Sequence, residues 1–357
     1  MNVLNVDFSL TRMGTVKQKY EVDLISNILN YEKKFNVIST FSGGGGSCLG
    51  YMMAGGDVLV ASEFVEEAYR TYSENFPSTH VLTDDIRNTK PEYLLELAGV
   101  NKYDLDIFDG SPPCSAFSTA GSREKGWGKA KNYSNKKQVV DDLFFEYLRL
   151  LKGIMPKTFV VENVSGLTMG NAKGYLKEIV NMAKDIGYNV KCRLMNSVNY
   201  GVPQRRIRLI IIGTRNDLNI KPIFPESCEN KYTLYDAIHT IKNHTNIDIS
   251  GWKSINNEIK KLKTQGMKSS KFFQLARPYY NRPAPTLVAN ASGSQWIHPI
   301  EDRPLSIEER MRVQSLPDDY KLTGTPIQKA ERIGRMVPPL MMKHIANTLY
   351  EKVLKNV

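Results

Sequence analysis

The run Asn36-Val37-Ile38-Ser39-Thr40-Phe41 passes directly into Ser42-Gly43-Gly44-Gly45-Gly46-Ser47 and then into a helix-like stretch from Leu49 to Ala54. A buried strand, a glycine turn and a helix N-terminus in that order commit the chain to an open α/β sheet. Only glycine lets the backbone approach a ligand closely at the carboxyl end of such a strand. The spacing departs from the dinucleotide fingerprint and no Gly-Lys-Ser/Thr follows, which argues against NAD and ATP. A second strand, Val58-Leu59-Val60-Ala61-Ser62-Glu63-Phe64, ends in an acid where a ribose diol is gripped, although Glu63 equally suits the cap of the helix expected from Val65 to Asn75. His80-Val81-Leu82-Thr83-Asp84-Asp85-Ile86 adds a short third strand ending in acids beside the same cleft.

A fourth strand, Tyr103-Asp104-Leu105-Asp106-Ile107-Phe108, runs into Asp109-Gly110-Ser111-Pro112-Pro113-Cys114-Ser115-Ala116-Phe117-Ser118. Two prolines fix two φ angles in succession and hold one cysteine at a set angle to the sheet edge where ligands bind. Cys114 is therefore a candidate nucleophile. A buried free thiol on an ordinary turn is the competing reading of the cysteine alone.

With 357 residues, 41% of them hydrophobic and 24% charged, the chain is long enough for two globular domains. It contains no run of 18 apolar residues and no basic-then-apolar leader, so a cytoplasmic protein without membrane contact is expected. Cys48, Cys114, Cys192 and Cys228 lie far apart, which points to neither a disulfide framework nor a zinc site, and no metal is expected. A net charge of +11 favours a polyanionic partner, nucleic acid first, over a merely solubilising excess.

Taken in order, these segments resemble the cytosine-5 DNA methyltransferases. Phe41-Ser42-Gly43-Gly44-Gly45-Gly46 is similar to that family's Phe-x-Gly-x-Gly-Gly loop, Glu63 to its ribose acid, Asp85-Ile86 to its Asp-Ile pair and Pro113-Cys114 to its Pro-Cys. Glu162-Asn163-Val164, Gln204-Arg205-Arg206-Ile207-Arg208, Arg282-Pro283-Ala284-Pro285-Thr286 and Gly334-Arg335-Met336-Val337-Pro338-Pro339 follow in the family's order. The resemblance implies a Rossmann-like α/β domain that binds S-adenosyl-L-methionine, with Phe41, Ser42, Gly43, Gly45, Gly46, Glu63, Phe64, Asp85, Ile86, Pro113 and Leu143 around the cofactor. Arg335 stands where the family has asparagine, and a direct pair with the methionine carboxylate is the favoured expectation over a side chain turned to solvent.

The implied chemistry explains the residue types. Carbon 5 of cytosine is a poor nucleophile until a thiolate, here Cys114, adds at carbon 6. Glu162 would hydrogen-bond the ring nitrogen and exocyclic amine, a role compatible with a salt bridge to Arg206 or Arg208. Those two arginines would hold the base carbonyl or a flanking phosphate and favour the thiolate.

A duplex cytosine reaches such a pocket only when flipped out. The basic, glycine-containing stretch from Gly121 through Tyr133 to Lys136-Lys137 reads as a loop closing over DNA, with Ser118, Arg123, Lys125, Lys129, Lys131 and Gln204 as DNA-contacting candidates; a solvated loop is the plainer alternative. Val139 to Leu151 has helical spacing. The expected organisation is a helical N-terminal extension (1–35), a catalytic domain (36–215), a target-recognition domain (216–327) rich in lysine and asparagine, and a C-terminal segment (328–357) that returns to the catalytic domain. The partner is double-stranded DNA and the enzyme a monomer, serving either a restriction-modification system, with a cognate restriction endonuclease as a partner without physical contact, or an orphan epigenetic role. A transfer-RNA cytosine methyltransferase and a catalytically inactive DNA-binding protein are the alternatives.

Overall fold

The computed structural model describes residues 4–6, 18–113, 131–133, 136–138, 142–170, 172–247, 277–289 and 297–357, with the backbone alone at 4–6, 131–133 and 136–138. Five parallel strands form one side of an eight-stranded sheet, out to its edge at β4: β2 (Phe35–Thr40), β3 (Gly56–Ser62), β4 (His80–Leu82), β5 (Ile107–Gly110) and β8 (Thr158–Val164); β6 (Lys131–Tyr133) and β7 (Lys136–Gln138) pair separately. Beyond β8 the sheet turns antiparallel, with β11 (Ile207–Arg215) inserted between β8 and β9 (Tyr188–Asn196) and β1 (Leu4–Val6) beside β9. The order β1-β9-β11-β8-β5-β2-β3-β4 is that of a Rossmann-like methyltransferase domain with one added edge strand.

Alternation along the strands builds one core on each face. Val37, Ile107, Val160, Ile210 and Ile212 face the helices α2 (Gly46–Met52), α3 (Glu66–Asn75) and α10 (Pro339–Lys352). Their neighbours Ile38, Phe108, Phe159, Val161, Leu209 and Ile211 face α4 (Pro91–Ala98), α5 (Leu143–Ile154) and α6 (Ala172–Ile186). Both faces being covered, the central strands read as unbroken apolar runs. The C-terminal α10 lies on α2 so closely that a Cβ on Gly50 would stand 2.6 Å from the Pro339 carbonyl oxygen.

The first core continues into the region after β11. There α7 (Leu234–Ile238), opened by a Thr233–Asp236 capping box, and α8 (Ile307–Val313), opened by a Ser306–Glu309 box, pack together. The short β10 (Gln204–Arg205) pairs in parallel with β12 (Ala284–Pro285) and joins this region to the catalytic lobe. The lysines at 253, 260, 261, 263, 268 and 271 lie outside the described residues. Among the described residues no helix is long and apolar enough to cross a membrane.

Among the described residues of the N-terminal extension, α1 (Ile25–Ile28) is helical and β1 joins the sheet edge. The Tyr20 ring packs edge-on against Tyr232 with centroids 5.0 Å apart, while its hydroxyl donates to the Arg312 carbonyl at 2.7 Å. Tyr20, Ile25 and Ile28 are buried in the first core.

Candidate functional site

The carboxyl ends of β3, β2, β5 and β8 lie side by side, and the motif residues leave the sheet there. After β2, Phe41 takes a positive φ of 54° and Gly43 and Gly45 take 57° and 91°. The turn is clamped from behind: a Cβ on Gly45 would collide with the Phe76 ring and one on Gly44 with the Met336 and Arg332 side chains, and the Tyr320 hydroxyl donates to the Gly44 carbonyl. At Gly43 a Cβ would meet nothing within 4 Å, so the loop is open on one side only. Ser42 turns inward, its Oγ donating to the Ser39 carbonyl at 3.1 Å.

Glu63, at the end of β3, accepts the Gly43 N–H at 2.7 Å on one oxygen and the Val65 N–H at 2.7 Å on the other. Burial pushes its pKa up, and the Val65 and Gly43 N–H groups and the nearby Arg332 and Arg335 charges pull it back. Each oxygen keeps a lone pair for a diol. The half-buried Phe64 follows it. Asp85 caps the turn at Ile86–Asn88 and receives the Arg87 guanidinium at 2.9 Å; the same guanidinium reaches Asp142, at the start of α5, at 2.7 Å. That bridge fixes Ile86 and Leu143, both buried, relative to each other.

The Pro-Pro turn is anchored where it leaves β5. The Asn163 amide donates to the Pro112 carbonyl at 3.1 Å, and the Ser111 N–H donates to Thr40 at 3.3 Å. Pro113 is half-buried; Cys114, Ser118, Arg123, Lys125, Lys129 and the Lys131 side chain lie outside the described residues. Beside the turn, Glu162 on β8 pairs with Arg208 on β11, Nε to Oε1 2.8 Å. Arg206 is buried: one of its terminal nitrogens donates to the Leu287 carbonyl at 3.0 Å, while its Nε has no hydrogen-bond partner among the described residues. Burial and then the Arg208 charge push its pKa down, and Glu162 pulls it back.

Two placements differ from the sequence expectation. Gln204 is 0% exposed and its amide is engaged internally, donating to Gln314 Oε1 at 2.6 Å and to the Val313 carbonyl at 3.3 Å and accepting the Leu287 N–H at 2.9 Å, so it ties β10 to α8. Arg335 lies on α9 (Pro326–Arg335) and donates to Glu331 one turn earlier at 2.7 Å, the pairing that helical i,i+4 spacing favours.

Sequence reasoning also missed Asp109. Its carboxylate, 1% exposed, accepts Ser39 Oγ at 2.8 Å, Tyr51 Oη at 2.9 Å and Ser47 Oγ at 3.1 Å. Burial pushes its pKa up to about 6 against the pull of these three hydroxyls. The acid thereby locks β2, α2 and β5 together beneath the glycine loop. An apolar strand ending in Asp-Gly was the only signal for it.

The residues present fit S-adenosylmethionine: a backbone open at Gly43 and a buried carboxylate with spare lone pairs for the ribose, at strand ends that neighbour the Pro-Pro turn after β5. Fold and site together define an S-adenosylmethionine-dependent methyltransferase. The chain belongs to the C-5 cytosine-specific DNA methylase family, whose model matches residues 35–351. It is 31% identical over 354 residues to the type II methyltransferase M1.HphI of Haemophilus parahaemolyticus, covering 93% of this chain and 90% of that protein. It is 31% identical over 340 residues to M.NgoPII of Neisseria gonorrhoeae, covering 87% and 94%. Among solved structures, a DNA modification methyltransferase encoded within an E. coli prophage superposes with a TM-score of 0.71 at 23% identity, over 89% of this chain and 99% of that one. A Spodoptera frugiperda DNMT2 mutant gives 0.62 at 16%, over 88% and 98%; both speak to the fold alone. The protein is an S-adenosylmethionine-dependent DNA (cytosine-5-)-methyltransferase whose substrate is double-stranded DNA.

Proposed function

We propose that this enzyme is the modification component of a type II restriction-modification system, methylating carbon 5 of a flipped-out cytosine with Cys114 as nucleophile. Relatives named as type II methyltransferases support the biological role. The chemistry rests above all on the Glu162–Arg208 pair standing beside the Pro112 carbonyl that Asn163 holds.

S-adenosylmethionine, when bound, supplies an electrophilic methyl group. Cys114 adds as thiolate to carbon 6 of cytosine, and the electrons of the 5,6 double bond make carbon 5 nucleophilic enough to take that methyl group. Glu162 hydrogen-bonds the ring edge as charge develops, held to its position by Arg208. Loss of the carbon 5 proton restores the double bond and expels the thiolate. Arg206 and Arg208 are the guanidinium groups beside the pocket, the residue type that favours an anionic sulfur and holds the base carbonyl or a flanking phosphate.

Residues 216–327 act as the target-recognition domain, reading base edges and phosphates. Arg123, Lys125, Lys129 and Lys131 on the segment after Cys114 close over the backbone. The enzyme works as a monomer, and its cognate endonuclease shares the recognition sequence without touching it. Incubation with tritiated S-adenosylmethionine and either duplex DNA or transfer RNA tests this: label in DNA is expected, and label in transfer RNA alone overturns it. Bisulfite sequencing of DNA from expressing cells then identifies the methylated site.

A further inference from the structure

Arg332 is a cation that forms no ion pair among the described residues. It sits on α9, 5% exposed, and its side chain makes no hydrogen bond or ion pair with any described residue. Its stem lies over the glycine loop: a Cβ on Gly44 would stand 2.9 Å from both Cγ and Cδ of Arg332. The nearest opposing charge is Glu63, whose two oxygens already hold Gly43 and Val65. Arg335, three residues on, is bound to Glu331.

A guanidinium held beside the loop without an ion pair among the described residues favours an anion that arrives with a ligand. The ligand of this cleft carries one anionic group. Its ribose end belongs at Glu63 on β3 and its methyl must reach the turn after β5, so the amino-acid tail crosses the loop after β2, the strand between them. Gly44 is the part of that loop over which Arg332 reaches. We infer that Arg332 pairs with the carboxylate of the methionine moiety of S-adenosylmethionine, and that glycine at 44 makes room for the arginine stem to do so. The inference rests on cofactor use and is independent of the proposed role of Cys114.

Calorimetric titration with two ligands tests it. S-adenosylhomocysteine carries the carboxylate; 5′-methylthioadenosine keeps the adenosine and lacks the amino-acid tail. For the native enzyme, Arg332→Gln and Arg332→Lys, the account expects Arg332→Gln to weaken S-adenosylhomocysteine by about tenfold to a hundredfold and to leave 5′-methylthioadenosine within about twofold, since only a charge-assisted pair is removed. Arg332→Lys, which keeps the charge and loses the planar fork, falls between. Equal weakening of both ligands in Arg332→Gln makes Arg332 a support for Glu63 or the loop and overturns the pairing, as does no change in either. Should the glutamine variant not fold, the lysine variant decides by the same two-ligand comparison. Failure of the native enzyme to bind S-adenosylhomocysteine at all defeats the cofactor reading instead.

Discussion

Arg208 and Glu162 meet on one face of the sheet, Nε to Oε1 2.8 Å, because β11 runs antiparallel to β8 in a register that places Arg208 opposite Val164 and Ile210 opposite Glu162. The pair is diagonal, within reach of a long side chain. Burial pushes the Arg208 pKa down while Glu162 holds it up, and the pair stands at the end of β8. Glu162→Gln keeps the shape and removes the charge. It should lower the single-turnover rate of methyl transfer by about a hundredfold or more, the loss typical of a deleted transition-state contact, with duplex affinity unchanged. Loss of DNA binding in step with the rate would mean that Glu162 serves the fold or the complex rather than the chemistry.

Asp109 makes a second prediction, in pH. Its pKa is about 6 in the folded protein against an ordinary 3.8. Between those values the folded state holds the proton more tightly than the unfolded chain, so the stability from this group is full below pH 3.8 and is lost as pH rises through 6. The full cost is roughly 3 kcal/mol at about 1.4 kcal/mol per unit. Urea unfolding across that window should show the stability of the native enzyme declining relative to Asp109→Asn, which cannot ionise. Curves that stay parallel would show that burial leaves the acid unshifted.

The glycine loop separates folding from binding. Gly45→Ala places a methyl against the Phe76 ring at a φ of 91° and should cost about 3 kcal/mol in thermal unfolding, from overpacking and left-handed strain together. Gly43→Ala, at a φ of 57° with open space before it, should cost about 1 kcal/mol yet weaken S-adenosylhomocysteine, because its methyl enters the cleft. Similar losses of stability with intact binding in both variants would put the cleft on the other side of the loop.

What was legible in the sequence was local. The strand, loop and helix at 35–52 follow from an apolar run meeting four glycines, and β5 announced its own turn through Pro112 and Pro113. The Glu162–Arg208 pair was one of two allowed, since choosing Arg208 over Arg206 depends on the register of a strand folded back from far along the chain. Gln204 was misjudged for a related reason: an amide beside two arginines reads as a surface contact until β12 and α8 bury it. Arg332 gave no signal because its meaning lies in its contact with Gly44, at the opposite end of the sequence. The N-terminal segment showed helical spacing but not the contacts with Tyr232 and Arg312 that hold Tyr20.

The central claim is that one thiol, Cys114, attacks the base. The other cysteines are poor competitors: burial pushes the pKa of Cys48 and of Cys192 up to about 12, and Cys228 is raised by burial too. A duplex carrying 5-fluorocytosine at the target position cannot release fluorine as it would a proton, so the attacking sulfur stays attached after methyl transfer. Incubation of that duplex with S-adenosylmethionine and either the native enzyme or Cys114→Ser, followed by denaturing electrophoresis and peptide mass mapping, reads the outcome. The account predicts a stable one-to-one adduct in the native enzyme, mapped to Cys114 and absent from the serine variant, which still binds the duplex. An adduct formed by the serine variant, or mapped to Cys48, Cys192 or Cys228, would contradict it.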